Sequence, residues 1–162
     1  MGVSGCGKST VAGVLAGRLG WPFVEGDDLH PPANVAKMHA GHPLTDQDRW
    51  PWLERIRGWM DEREAAGENG IVTCSALKRS YRDLLRAGGA DHDIRFVFLA
   101  GSRDVLLARL RSRQGHFMPA SLLDSQLADL EPPADDEPSV RIDIGPSAAA
   151  QAAEVLTRLA LR

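Results

Sequence analysis

Eight residues near the start of the chain, Gly2-Val3-Ser4-Gly5-Cys6-Gly7-Lys8-Ser9, fit the pattern G-x-x-x-x-G-K-[ST] at every fixed position. These residue types answer one problem, holding a dense polyanion out of water. Backbone N–H groups replace lost hydration only where the chain curls tightly, and glycine permits both the curl and the close approach. A helical pattern follows at once, so its first amides and its dipole face the anion. Lys8 is expected to reach the β- and γ-phosphates of a nucleotide, and Ser9 to hold magnesium. Gly2, Gly5, Cys6, Gly7, Lys8, Ser9 and Thr10 are therefore the expected ATP-binding residues, with Mg2+ as cofactor. Cys6 stands at a variable position. A thiol at a helix N-terminus can be reactive, but a small filler is the simpler reading.

Two further groups carry chemistry. Glu25-Gly26-Asp27-Asp28 follows the apolar Phe23-Val24. A carboxylate there faces the mouth of the phosphate loop and can orient or deprotonate an acceptor hydroxyl. The plainer alternative is an acidic turn. Arg109-Leu110-Arg111-Ser112-Arg113-Gln114-Gly115-His116 is basic and runs into glycine. Arg109 and Arg113 lie one helical turn apart on one face. Residues 109–120 read as a lid that excludes water and brings arginine to the transferring phosphoryl group, against a helix end that simply favours cations. Guanine-reading N-K-x-D and D-x-x-G strings do not occur, which removes a GTPase switch. Ile71-Val72-Thr73 runs into Cys74-Ser75 without the carboxylate of an ATPase motor.

The elements that must position these groups alternate. Helical patterns are expected over 7–19, 32–40, 46–66, 78–87, 102–113, 121–130 and 147–161. Short apolar strands are expected over 21–25, 71–74, 94–99 and 140–144. Thr45 with Asp48 resembles a capping box. Leu53, Ile56 and Met60 share the face of the helix it opens. Trp50, Trp52 and Trp59, at helical spacing, read as core. The acidic, proline-rich stretch 131–138 reads as a solvated connection. Such alternation implies one α/β domain over 1–162, a parallel sheet with helices on both faces and ligands beyond the carboxyl ends of the strands.

Composition bounds the partners. The chain has 162 residues, 43% hydrophobic and 25% charged, with a net charge of −3. No basic field draws it to nucleic acid, and no apolar run spans a membrane. Two cysteines are too few for a disulfide framework, and the expected location is cytoplasmic. Of 19 basic residues only Lys8, Lys37 and Lys78 are lysine. Lysine is a compact, flexible point charge, so Lys37 and Lys78 are candidates for anion binding, or chance on an arginine-rich surface.

In order along the chain, the phosphate loop, Glu25-Gly26-Asp27-Asp28-Leu29-His30-Pro31, Asn34 to Lys37-Met38, Gly41 to Asp46, Asp48-Arg49, Pro51-Trp52-Leu53, Cys74 to Lys78, Tyr81-Arg82 and Gly115-His116-Phe117 resemble the gluconokinase family. The likeness implies a P-loop kinase fold and ATP-dependent phosphorylation of D-gluconate at its 6-hydroxyl. It implies Asp27 as the acid at the acceptor hydroxyl, with Lys8 and Arg113 as its catalytic companions. It implies His30, Lys37, Arg49, Lys78, Arg82 and His116 around the sugar acid. Relatives are often homodimers. Many carry Asp where this chain has Glu25. Residues of this kind would also suit a kinase of another small hydroxylated acceptor, such as shikimate or a nucleoside monophosphate. A nucleotide-binding module without catalysis is the reading of a different class.

In that fold the strand before the phosphate loop is central, and here only Met1 precedes Gly2. Burying about five apolar side chains is worth ~8–15 kcal/mol, comparable with a domain's net stability. The expectation is a sheet lacking its central strand, from a reading frame that begins upstream with Met1 internal.

Overall fold

The computed structural model describes residues 1–87, 93–112 and 120–162. In chain order the elements are α1 (Lys8–Leu19), β1 (Phe23–Glu25), a 3-10 turn (Gly26–Leu29), α2 (Pro32–His39), α3 (Asp46–Ala65), β2 (Ile71–Thr73), α4 (Arg79–Arg86), β3 (Phe96–Ala100), α5 (Arg103–Ser112), α6 (Ala120–Asp129), β4 (Ser139–Asp143) and α7 (Ala148–Arg158). The expected alternation is present. The first three strands are a residue or two shorter than their apolar runs and β4 is shifted by one residue, because pairing rather than hydrophobicity sets their ends.

Local chemistry explains the boundaries. Gly20, in the left-handed region, ends α1 by donating its N–H to the Ala16 carbonyl. Thr45 opens α3 with both bonds of a capping box: its hydroxyl accepts from the Asp48 N–H, and the Asp48 carboxylate accepts from the Thr45 N–H. Ser147 caps α7 by accepting from the Ala150 N–H. No described helix is long and apolar enough to cross a membrane.

The strands form two parallel pairs rather than one sheet. β1 pairs with β2, placing Val24 beside Val72, and β3 pairs with β4, placing Phe98 beside Arg141. The pairs do not bond each other. Residues 1–2 stand between them and bond to both. The Met1 nitrogen donates to the Val97 carbonyl at 2.5 Å, and the Met1 carbonyl accepts from Leu99 at 3.1 Å. On the other side Gly2 donates to the Ser75 carbonyl at 3.2 Å. The gap is thus one strand wide. Behind Met1 it widens into a cavity of about 570 Å³ walled by Leu15, Ile71, Phe96, Val97 and Leu99.

Two cores flank this slot. One gathers Val3, Cys6, Leu99, Leu106, Leu123 and Ile142 beneath the phosphate loop. The other gathers Trp52, Leu53, Ile56, Tyr81, Leu85 and Phe96 beneath α3 and α4. The connection 131–138 is mostly exposed, as expected, but it is also tied to α4. Glu137 is buried and holds Arg82 through two bonds, Nε at 2.5 Å and Nη2 at 2.9 Å. Glu131 accepts from the Arg79 N–H at 2.6 Å, and Asp136 pairs with the Arg79 guanidinium. Glu131, Asp136 and Glu137, read as solvating charge, are partners of α4.

Two outcomes follow for stability. Joining five alternating Val and Ile residues directly before Met1 should fill the slot and raise the thermal midpoint by at least ~10 °C, given ~2–4 °C per kcal/mol in a chain of this size; an unchanged midpoint would show that the slot does not accept a strand. Glu137→Ala leaves Arg82 buried and unpaired, and should cost about 3–5 kcal/mol in urea unfolding.

Candidate active site

The phosphate loop curls as its composition requires. Gly5 has φ 82°, and a Cβ there would lie 2.9 Å from Leu110 Cγ, so neither the backbone angle nor the space admits a side chain. The Lys8 ammonium lies back across the loop, donating to the carbonyls of Gly2 (3.1 Å) and Val3 (3.3 Å). Ser9 and Thr10 are exposed at the first turn of α1. Cys6 is fully buried, with its side chain in the core under the loop, so it is a filler whose backbone serves the nest.

Two distant residues brace the loop. Arg109 on α5 donates to the carbonyls of Ile144 and Cys6, which brings its guanidinium beside Gly7. Gln126 on α6 accepts from the Ser4 N–H at 2.7 Å and donates to the Ser4 hydroxyl at 3.2 Å. The sequence carried no local signal for Gln126, since its partner lies 122 residues away. Arg113 and His116, with the rest of the expected lid over 113–119, lie outside the described residues.

Asp27 is delivered by a tight junction at the end of β1. A Cβ on Gly26 would fall 2.0 Å from the Thr73 carbonyl, so only glycine lets the chain turn there. The Gly26 N–H donates to the Thr73 hydroxyl (3.2 Å), which itself donates to the Glu25 carboxylate (2.5 Å). Trp52 Nε1 donates to the Gly26 carbonyl at 2.6 Å. Trp52 is core, as expected, and is also the post on which the acidic turn hangs. The Asp27 side chain is 75% exposed, with Oδ1 4.0 Å from His30 Nε2. His30 is buried and stacked on Trp52 at 4.1 Å between centroids. Burial holds its imidazole below the ordinary histidine range, against the nearby Asp27 charge, so the ring is neutral.

Three of the expected cations gather at the first turn of α3. Arg49 is buried, with its guanidinium 5.6 Å from the Tyr81 ring centroid, and the Lys78 ammonium is 5.8 Å from the same centroid. Asp46 lies between them, accepting from Lys78 Nζ at 2.9 Å and from the Tyr81 hydroxyl. These bonds hold the Asp46 carboxyl below its usual range, and the Asp46 contact holds Lys78 above its own. Burial, then the bond to Asp46, pushes the Tyr81 phenol up. Lys37 pairs with Asp48 at 2.6 Å, on the helix cap that precedes Arg49. Burial raises the Cys74 thiol to about 11.

Arg82 is a correction. It was expected to grip substrate, but its side chain is enclosed and all its reach is spent on Glu137 and on the carbonyls of Ala76 (3.0 Å) and Leu77 (3.2 Å). It holds the turn that presents Lys78. Burial of an arginine is set by a partner 55 residues on, which a local string does not reveal.

A glycine nest with a lysine at a helix start, parallel strands and a carboxylate at the neighbouring strand end define a P-loop phosphotransferase. The AAA domain family model matches residues 1–133, from the loop through α6. The gluconokinase of Gluconobacter oxydans is 61% identical over 142 residues, 88% of this chain and 79% of that one. A solved gluconokinase from Sinorhizobium meliloti superposes with a TM-score of 0.87 at 51% identity, covering 99% of this chain and 90% of that one. An unliganded sugar kinase from Janibacter gives a TM-score of 0.92 at 48% identity over 99% of this chain and 92% of its own. The chain belongs to the gluconokinase family.

The Asp48 carboxyl is held down to about 2, first by Lys37 and then by the Thr45 N–H and hydroxyl. A depressed folded value means stability that is present above the unfolded value, about 4, and lost as pH falls toward 2. Asp48→Asn should therefore lower the thermal midpoint at neutral pH, and its difference from the unsubstituted chain should close as pH drops through that window.

Proposed function

We propose that this chain transfers the γ-phosphoryl group of ATP to the 6-hydroxyl of D-gluconate, giving 6-phospho-D-gluconate and ADP. The observation that carries this reading is the cluster of Arg49, Lys78, Asp46 and Tyr81, with Arg49 near enough to His30, the neighbour of Asp27, for its charge to be felt there. Gluconate is a small anion covered in hydroxyls, and this pocket offers fixed cations for its carboxylate with a carboxylate and a phenol for its polyol. Family membership agrees.

In the reaction the acceptor oxygen attacks the γ-phosphorus in line, the bond to the β–γ bridging oxygen breaks, and ADP leaves with that electron pair. Asp27 accepts a hydrogen bond from the 6-hydroxyl, orients it and takes its proton. Lys8, exchanging its loop carbonyls for phosphate oxygens, follows the charge that develops on the transferring group. Arg109 already lies against the loop, and Arg113 and His116 are the candidates to close from the lid. Lys37 and His30 complete the wall on the acid's side.

Magnesium fits the donors present. Ser9 offers an exposed hydroxyl at the helix start, a hard oxygen of the kind the ion prefers. Among the described residues no three His, Cys, Asp or Glu side chains form a metal cluster, so phosphate oxygens would complete the shell. When bound, the ion neutralises charge on the β- and γ-oxygens. Two free, buried cysteines suit a reducing compartment, and we place the protein in the cytoplasm.

Purified protein should release ADP when given gluconate, and not when given shikimate or a nucleoside monophosphate; ATP binding without any acceptor-dependent ADP would instead indicate a non-catalytic module. Asp27→Ala should lower kcat by at least ~100-fold while leaving nucleotide affinity intact. Lys8→Ala should instead depress kcat/KM for ATP. Near-normal turnover on gluconate by Asp27→Ala would remove Asp27 as the acceptor acid.

A further inference from the structure

We infer that Asn34 is a positioning residue: it fixes His30 in the tautomer that carries its proton on Nε2, and so aims a neutral donor at Asp27, given Asp27 as the acid that holds the acceptor hydroxyl. Asn34 lies in the first turn of α2 and is buried, 4% exposed. Its Nδ2 is 2.7 Å from the Asp48 carbonyl oxygen. A backbone carbonyl only accepts, so the amide orientation is determined by that partner. The same nitrogen lies 3.3 Å from His30 Nδ1 and has a second N–H to give. Nδ1 then uses its lone pair, and the proton of a neutral imidazole sits on Nε2.

The stacking fixes the plane of the ring, and within that plane the bond from Asn34 selects the edge that carries Nδ1. Trp52 stacks on it at 15° between planes, and Trp52 is pinned through Nε1 to the Gly26 carbonyl, one residue before Asp27. Nε2 therefore faces Asp27 Oδ1 from 4.0 Å, and a modest rotation of the exposed carboxylate closes a hydrogen bond. Catalytic bonds are commonly this long before substrate binds. A neutral donor suits the task. It orients one carboxylate oxygen and leaves the other to accept the hydroxyl proton, whereas a charged imidazolium would lower the basicity the acid needs. The chain of bonds from the Asp48 carbonyl through Asn34 to His30 also ties the acid's aim to the first turn of α3, on which Arg49 sits.

The intact protein tests this directly. Long-range 1H–15N spectra of the imidazoles, with His30→Gln used to assign the signal, should show His30 with Nδ1 unprotonated and Nε2 protonated at neutral pH. Asn34→Leu should convert that signal to a mixture of tautomers and lower kcat, with KM for ATP unchanged. In kinetics His30→Gln, whose amide nitrogen reaches the Nε2 position, should turn over at least about tenfold faster than His30→Asn, whose nitrogen reaches only the Nδ1 position. A protonated Nδ1 in the unsubstituted protein, or equal kcat for the two His30 variants, would overturn the assignment. Asp27→Asn separates the two levels: if it keeps turnover, the acid itself is wrong; if it abolishes turnover while the His30 variants match, only the tautomer's role is wrong.

Discussion

The buried pairing of Arg82 with Glu137 is the constraint on which both halves of the site depend. An enclosed arginine is tolerable only with its donors satisfied, and here they are shared between Glu137 and the carbonyls of Ala76 and Leu77. Ala76 has φ 43°, an unusual angle for a residue with a side chain, and that turn would relax without something holding its carbonyl. Through it the strand end at Ser75 stays against Gly2 of the phosphate loop. Through it Lys78 also stays at the start of α4, against Asp46 and near Tyr81. One enclosed ion pair thus links the nucleotide side with the sugar-acid side.

A second theme is that the acid's surroundings are built by packing rather than by charge. Gly26 is pressed on Thr73, Trp52 clamps the Gly26 carbonyl, and His30 is sandwiched by Trp52. The Asp27 carboxylate projects outward from them. A rigid base under a mobile carboxylate lets the group follow a hydroxyl during transfer while its approach direction stays constant.

What was readable in the sequence was what chemistry writes locally. The phosphate loop, the Thr45–Asp48 cap and the placement of Asp27 just past a strand all depend on neighbours within a few residues, so their strings suffice. What was not readable depended on residues brought from afar. Arg82 looked like an anion-binding side chain until Glu137 was seen to enclose it. The stretch 131–138 is largely exposed as read, but the pairing of Glu131, Asp136 and Glu137 with α4 left no trace in the string, because the cations they meet lie more than 50 residues earlier. Trp52 was correctly assigned to the core, but its bond to Gly26 requires knowing that α3 crosses the end of β1. Gln126 gave no signal, because only the fold sets it against Ser4. A sheet without its central strand was expected from the position of the loop in the chain; that the strands divide into two pairs, with residues 1–2 bonded to both sides of the slot, was not.

Both cysteines are sealed in the folded chain, Cys6 under the phosphate loop and Cys74 at the end of β2, and the Cys74 thiol is raised to about 11. Thiolate, the form that alkylating reagents attack, is therefore scarce at Cys74 near neutrality, and access to both sulfurs requires the loop and strand ends to part. The rate of covalent labelling becomes a clock for that opening, and a nucleotide that closes the loop should slow it.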